Sequence, residues 1–147
     1  MAILSQEQDA SVLRTILGQA GSYPLFLIGS YNLQLQGVQV PAADIDILTS
    51  DAGVKHFAKL YNEAIINERG FLEFWTTIQD IEVNFTSYDN NPLHPEPLAE
   101  NVVRVSLGNL ALPGLSSASE HVFYRSSGRE KDIAKLALIE ESPHFKK

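Results

Sequence analysis

The apolar positions of this chain fall into blocks of two periods, one helical and one extended. Val12, Leu13, Ile16, Leu17 and Ala20 recur on one helical face. Ser5 and Gln8 have the spacing of a capping box ahead of them, and Gly21-Ser22 closes the helix. Pro24-Leu25-Phe26-Leu27-Ile28 is a short apolar run after a breaker and predicts a buried strand, cut sharply by Gly29-Ser30. Tyr31, Leu33 and Leu35 then alternate with Asn32, Gln34 and Gln36. By pattern alone this favours a half-buried strand, although the same residues tolerate a short helix stopped at Gly37. Asp44 to Leu48 predicts another strand. Ser50 or Asp51 caps a second helix, whose buried face is Val54, Phe57, Ala58, Tyr61, Ala64 and Ile65.

Phe71 to Thr77 and Ile78 to Thr86 read as neighbouring strands, and Asp89 to Pro97, rich in Asn and Pro, as a loop. Val102, Val103, Val105 and Leu107 mark one more strand, Pro113-Gly114 a turn, and Ser116 to Tyr124 and Arg129 to Glu141 two closing helices. Some strand pairs are too close for a crossover helix. The expected architecture is therefore α/β of the α+β type, a mixed β-sheet with helices packed on it. With no repeat or linker in view, residues 1–147 read as one domain.

Composition adds limits. At 44% hydrophobic and 20% charged residues the chain is ordinary for a globular protein. The absence of cysteine excludes disulfides and thiolate metal sites. No apolar run is long enough to span a bilayer, so no membrane partner is expected. Met1 to Asp9 lacks the features of a signal peptide, which makes the cytoplasm the expected location. A net charge of −7 argues against broad non-specific binding of nucleic acid and suits a site that concentrates divalent cations.

Two features carry candidate chemistry. Side chains alternate across a strand, so Asp44 and Asp46 share one face while Ile45 and Ile47 take the other. Adjacent carboxylates repel unless a cation or water screens them. Magnesium is commonly held by one or two carboxylates plus substrate phosphates. A plain amphipathic strand with a wet acidic face would show the same pattern. Gly29-Ser30, straight after an apolar strand, lets backbone N–H groups approach an anion, and Ser30 can donate to a phosphate oxygen. A simple strand-ending turn would look alike.

Together, Leu25 to Ser30 followed by Asp44-Ile45-Asp46-Ile47-Leu48 resembles the superfamily of nucleotidyltransferases related to DNA polymerase beta, in particular its minimal and aminoglycoside-type members. The resemblance implies a nucleotidyltransferase-like sheet and makes Ser30 to Gln36 helical, against their alternation. It implies Gly29 and Ser30 as phosphate-binding residues. It also implies Asp44, Asp46 and a third acid as catalytic residues that bind magnesium or manganese. Glu82 in Asp80-Ile81-Glu82-Val83-Asn84-Phe85 matches the third position, although many members have aspartate there; Asp80, expected on the same strand face, competes. Arg125 to Ala137 resembles the basic segment that closes several small members, which makes Arg129 and Lys131 nucleotide-binding candidates.

The activity implied is transfer of a nucleoside monophosphate from a nucleoside triphosphate to an acceptor, releasing pyrophosphate. Small molecule, RNA and protein acceptors stay open. An alternative keeps the fold as a weakly active or inactive binding or regulatory protein, such as one component of a defence or toxin–antitoxin pair, with a partner protein or a homo-oligomer. His56, His94, His121 and His144 show no ligand spacing. Trp75 and Phe74 are expected in the core, Lys55 and Lys59 on a solvated face, and Tyr88 and His94 beside the Pro-rich loop, where they could border a cleft.

Overall fold

The computed structural model describes residues 6–127 and 129–142, so Ser5 of the expected capping box and His144 lie outside the described residues. Its helices are α1 (Gln6–Gln19), α2 (Gly29–Leu35), α3 (Asp51–Tyr61), α4 (Ser117–Ser127) and α5 (Glu130–Glu140). Its strands are β1 (Phe26–Ile28), β2 (Asp44–Thr49), β3 (Glu73–Ile78), β4 (Ile81–Ser87), β5 (Val102–Leu107) and β6 (Leu110–Leu115). They form one six-stranded sheet in the order β3-β4-β2-β1-β6-β5. The β2–β4 and β1–β6 pairs are parallel and the other three antiparallel, which is the mixed sheet expected. No described helix is long and apolar enough to cross a membrane.

The two sheet faces differ in chemistry because β2 alternates. Ile45 and Ile47 join Val83, Phe85 and Phe74 on one face, in the same core cluster as Val12, Leu13 and Ile16 of α1 and Val54 and Phe57 of α3. Phe85 stacks between Phe57 at 4.5 Å and Phe74 at 5.0 Å, ring centre to ring centre. Ser50 caps α3 by accepting from the Gly53 N–H at 3.1 Å. The opposite face carries Asp44 and Asp46, and it is left open for the site.

Several expectations change. Ala64 and Ile65 are not on the buried face of α3, because Asn62 turns left-handed at φ 55° and ends the helix; both are exposed. Pro113-Gly114 is not a turn but lies inside β6, where Pro113 pairs with Arg104. Gly114 is there for closeness: a Cβ would meet the Asn32 Oδ1 at 2.3 Å. Gln79 and Asp80, at φ 51° and 67°, form the two-residue turn between β3 and β4. Paired left-handed residues are the turn that matches strand twist. Asp80 is thus exposed in the turn and not on the strand face beside Glu82. Trp75 is not core either: it points to the open face at 42% exposure, while Phe74 is fully buried.

Candidate active site

Ser30 to Leu35 is helical, as the resemblance required and the alternation did not. The reason is burial on two sides. Tyr31 packs into the main core and Leu33 into a second cluster with Val38, Val40, Tyr124 and Ile139. The Tyr31 hydroxyl also donates to buried Asp9. A short helix enclosed on both flanks alternates apolar and polar residues much as a strand does.

Strand register fixes the centre. Ile28 pairs with Asp46, Asp46 with Asn84, and Asp44 with Glu82, so these side chains share the open face. The chain turns into α2 at Gly29, whose φ is +80°. A Cβ on Gly29 would lie 2.4 Å from the Asp46 Oδ2, so glycine here brings the backbone directly against that carboxylate. Burial pushes the Asp46 carboxyl up to about 7; the charges of Asp44 and Glu120 add to it, Lys135 opposes it, and Glu82 contributes least. Asn84 is held beside it, donating to the Phe74 carbonyl at 3.2 Å and accepting from the Thr86 hydroxyl at 2.6 Å.

These groups open into a cavity of about 320 Å³. Gly29, Ser30, Asp44 and Asp46 line it, and so do Arg129, Lys131 and Lys135 from the C-terminal segment. The predicted residues therefore come together, with one exception. Glu82 is exposed beside Asp44 and does not line the cavity. Among the described residues no three His, Cys, Asp or Glu side chains are gathered to hold a metal ion by themselves. Arg129 donates to Asp132 at 2.7 Å, and Lys135 lies 3.8 Å from the same carboxylate.

Three participants escaped sequence reasoning. Lys135 is one helical turn from Lys131, a spacing that could have marked it. Trp75 faces the cavity because β3 presents its odd-numbered positions there. Glu120 had no local signal: it is fully buried on α4, and its Oε2 accepts from the Gly29 N–H at 2.6 Å and from the Asn32 amide at 3.2 Å. Its Oε1 makes no hydrogen bond and faces the His94 Nε2 at 3.8 Å. His94, its ring tilted against Phe123 with centres 4.0 Å apart, lines the cavity, in line with its expected place at the cleft. Glu120→Gln keeps an acceptor for the Gly29 N–H and removes a charge near Asp46. Its expected effect is a lower Asp46 titration midpoint, read by carboxyl carbon NMR; an unmoved midpoint would mean that Glu120 does not act on Asp46.

No family model matches the sequence, and no curated protein does. Solved structures do. TM1012 of Thermotoga maritima, a presumed nucleotidyltransferase, superposes with a TM-score of 0.66 at 21% identity over 92% of this chain and 94% of its own. The lincosamide antibiotic adenylyltransferase LnuA, solved with lincomycin bound, gives 0.67 at 11% identity over 95% and 99%. ANT(2″)-Ia, solved with adenylyl-2″-tobramycin, gives 0.61 at 13% identity over 89% and 87%. Over nearly its whole length this chain has the fold of the small nucleotidyltransferases.

Proposed function

We propose that this protein transfers a nucleoside monophosphate from a nucleoside triphosphate to a hydroxyl-bearing acceptor, with release of pyrophosphate. The observation that carries the reading is the packing of the Gly29 turn against Asp46, which brings the start of α2 to a pair of carboxylates on one strand face. Magnesium or manganese fits this donor set: burial pushes the Asp46 carboxyl up to about 7 and the neighbouring Asp44 charge adds to it, a repulsion that a cation between the two would relieve. Asp44 and Asp46 would hold the ion, with Glu82 on the acceptor side; once bound, it would offset charge on the attacking and leaving oxygens.

The chain's own residues do the rest. Gly29 and Ser30 hold the outer phosphates, the Gly29 N–H exchanging the Glu120 carboxylate for a phosphate oxygen. Lys131, Lys135 and Arg129 line the same cavity and offset phosphate charge. The acceptor oxygen attacks the α-phosphorus and forms a new P–O bond. The bond from that phosphorus to the bridging oxygen breaks, and its electron pair leaves with pyrophosphate. The acceptor proton leaves to solvent. Positioning and electrostatics supply most of the rate. The structures of ANT(2″)-Ia with adenylyl-2″-tobramycin and of LnuA with lincomycin support a small acceptor.

Calorimetric titration with a nucleoside triphosphate tests the reading. Binding is expected with magnesium and not with a chelator; equal binding in both would sink it. Glu82→Gln is expected to weaken magnesium binding about tenfold or abolish transfer, with metal-free stability unchanged or higher because a repulsive charge is gone. If neither metal affinity nor transfer changed, Glu82 would be an ordinary surface glutamate.

A further inference from the structure

The sheet register lays a row of side chains across the open face: Ile28 beside Asp46, Asp46 beside Asn84, and Asn84 beside Trp75. Gly29 lies at one end of this row and Trp75 at the other, with the Asp pair between. Neighbouring strands are about 4.8 Å apart, so Trp75 stands roughly 10 Å from Asp46 across the sheet, on the side away from the Gly29 turn. In an in-line displacement the attacking and leaving oxygens lie on opposite sides of the phosphorus. Pyrophosphate held at Gly29 and Ser30 leaves toward β1, so the acceptor must approach from β4 and β3, over Asn84 and Trp75.

The geometry points to Trp75 as the platform on which the acceptor stacks, and to a neutral, hydroxyl-bearing ring compound as that acceptor. This assignment rests on the nucleotidyl-transfer reading for its direction. An indole 42% exposed on the wall of a cavity is a large apolar face with no core role. Asn84, fixed by two hydrogen bonds, separates it from Asp46 and leaves a polar floor one strand wide. Arg69 also lines the cavity, yet its guanidinium is bound bidentately by buried Glu73 at 2.8 and 3.0 Å and lies 4.8 Å over the Phe71 ring. An anionic acceptor such as an RNA backbone is repelled by Asp44 and Glu82 at the near edge. A ring that offers a flat face to Trp75 and a hydroxyl toward Asp46 satisfies both ends.

The test uses the full chain and 4-nitrophenyl β-D-glucopyranoside, a neutral ring-bearing polyol whose nitrophenyl group quenches indole emission. Trp75 is the sole tryptophan, so emission reports this position alone. Saturable quenching is expected. By calorimetry, Trp75→Leu is expected to raise the Kd for the glycoside about tenfold, with Trp75→Phe retaining most of the affinity. The Kd for magnesium triphosphate should move less than twofold in both. Two results overturn the proposal: absence of saturable quenching, or a Trp75→Leu variant that loses triphosphate affinity and keeps the glycoside, which would put Trp75 on the nucleobase side. If the unsubstituted protein binds no magnesium triphosphate, the transfer reading fails separately, and quenching by the glycoside alone still decides whether Trp75 is a ring platform.

Discussion

Asp46→Asn is expected to stabilise the metal-free protein by about 2 kcal/mol above pH 7 and to contribute nothing near pH 4, while transfer falls about 10²–10³-fold. The sign follows from the raised carboxyl, about 7 in the fold against an ordinary 3.8. Below the ordinary value both folded and unfolded chains carry the proton, and Asp46 costs nothing. As pH climbs toward 7 the unfolded chain releases its proton and the fold does not, so stability declines through that window and levels off above it. Asparagine has no proton to lose and escapes the decline. Denaturant unfolding at pH 4 and pH 8, with chelator present, measures the difference. An equal gain at both values would mean that shape, and not charge, separates the two side chains. Saturating magnesium should narrow the pH 8 difference, because a bound cation stabilises only the protein that keeps its carboxylate pair.

The second large effect belongs to Gly29→Ala. Two costs coincide at this position. The backbone is left-handed at φ +80°, which a side chain adopts at a penalty of roughly 1–2 kcal/mol. The new Cβ would also sit 2.4 Å from the Asp46 Oδ2, so the carboxylate must move. Gly21 supplies the control: its φ is +59°, and a Cβ there meets nothing within 4 Å. Gly21→Ala should therefore cost about 1 kcal/mol from backbone strain alone, whereas Gly29→Ala should cost about 3 kcal/mol and abolish magnesium-dependent triphosphate binding. Paired thermal unfolding of the two variants measures the gap. Equal losses would show that Asp46 does not press on the turn.

Both predictions rest on residues that stand out in the amino-acid pattern, and the reason is local. Strand period 2 puts Asp44 and Asp46 on one face whatever surrounds them, and a glycine after an apolar strand marks a place where backbone approaches something closely. The strands around them, the Ser50 cap and the buried faces of α1 and of most of α3 follow from the same short-range rules. Those rules misread the chain where burial came from more than one side or from far away. Ser30 to Gln36 alternates like a strand because α2 is enclosed on both flanks, and only the family likeness read it as a helix.

Pro113-Gly114 looked like a turn because both residues are turn formers, yet Gly114 is required for the approach of Asn32 from α2, 82 positions earlier in the sequence. Asp80 left the acid set once the strand pairing placed it in the turn, and Trp75 left the core once β3 became an edge with one open face. The acid pair, the glycine turn and the class of sheet are legible in the amino-acid order, since each depends on neighbours one to four positions away. Three-dimensional packing was needed to place Glu120 on the Gly29 N–H, Lys135 beside Lys131 in the cavity, and Trp75 opposite the phosphate end. Those relations depend on strand order and helix docking, which bring together groups up to 91 positions apart and leave no period for a local pattern to reveal.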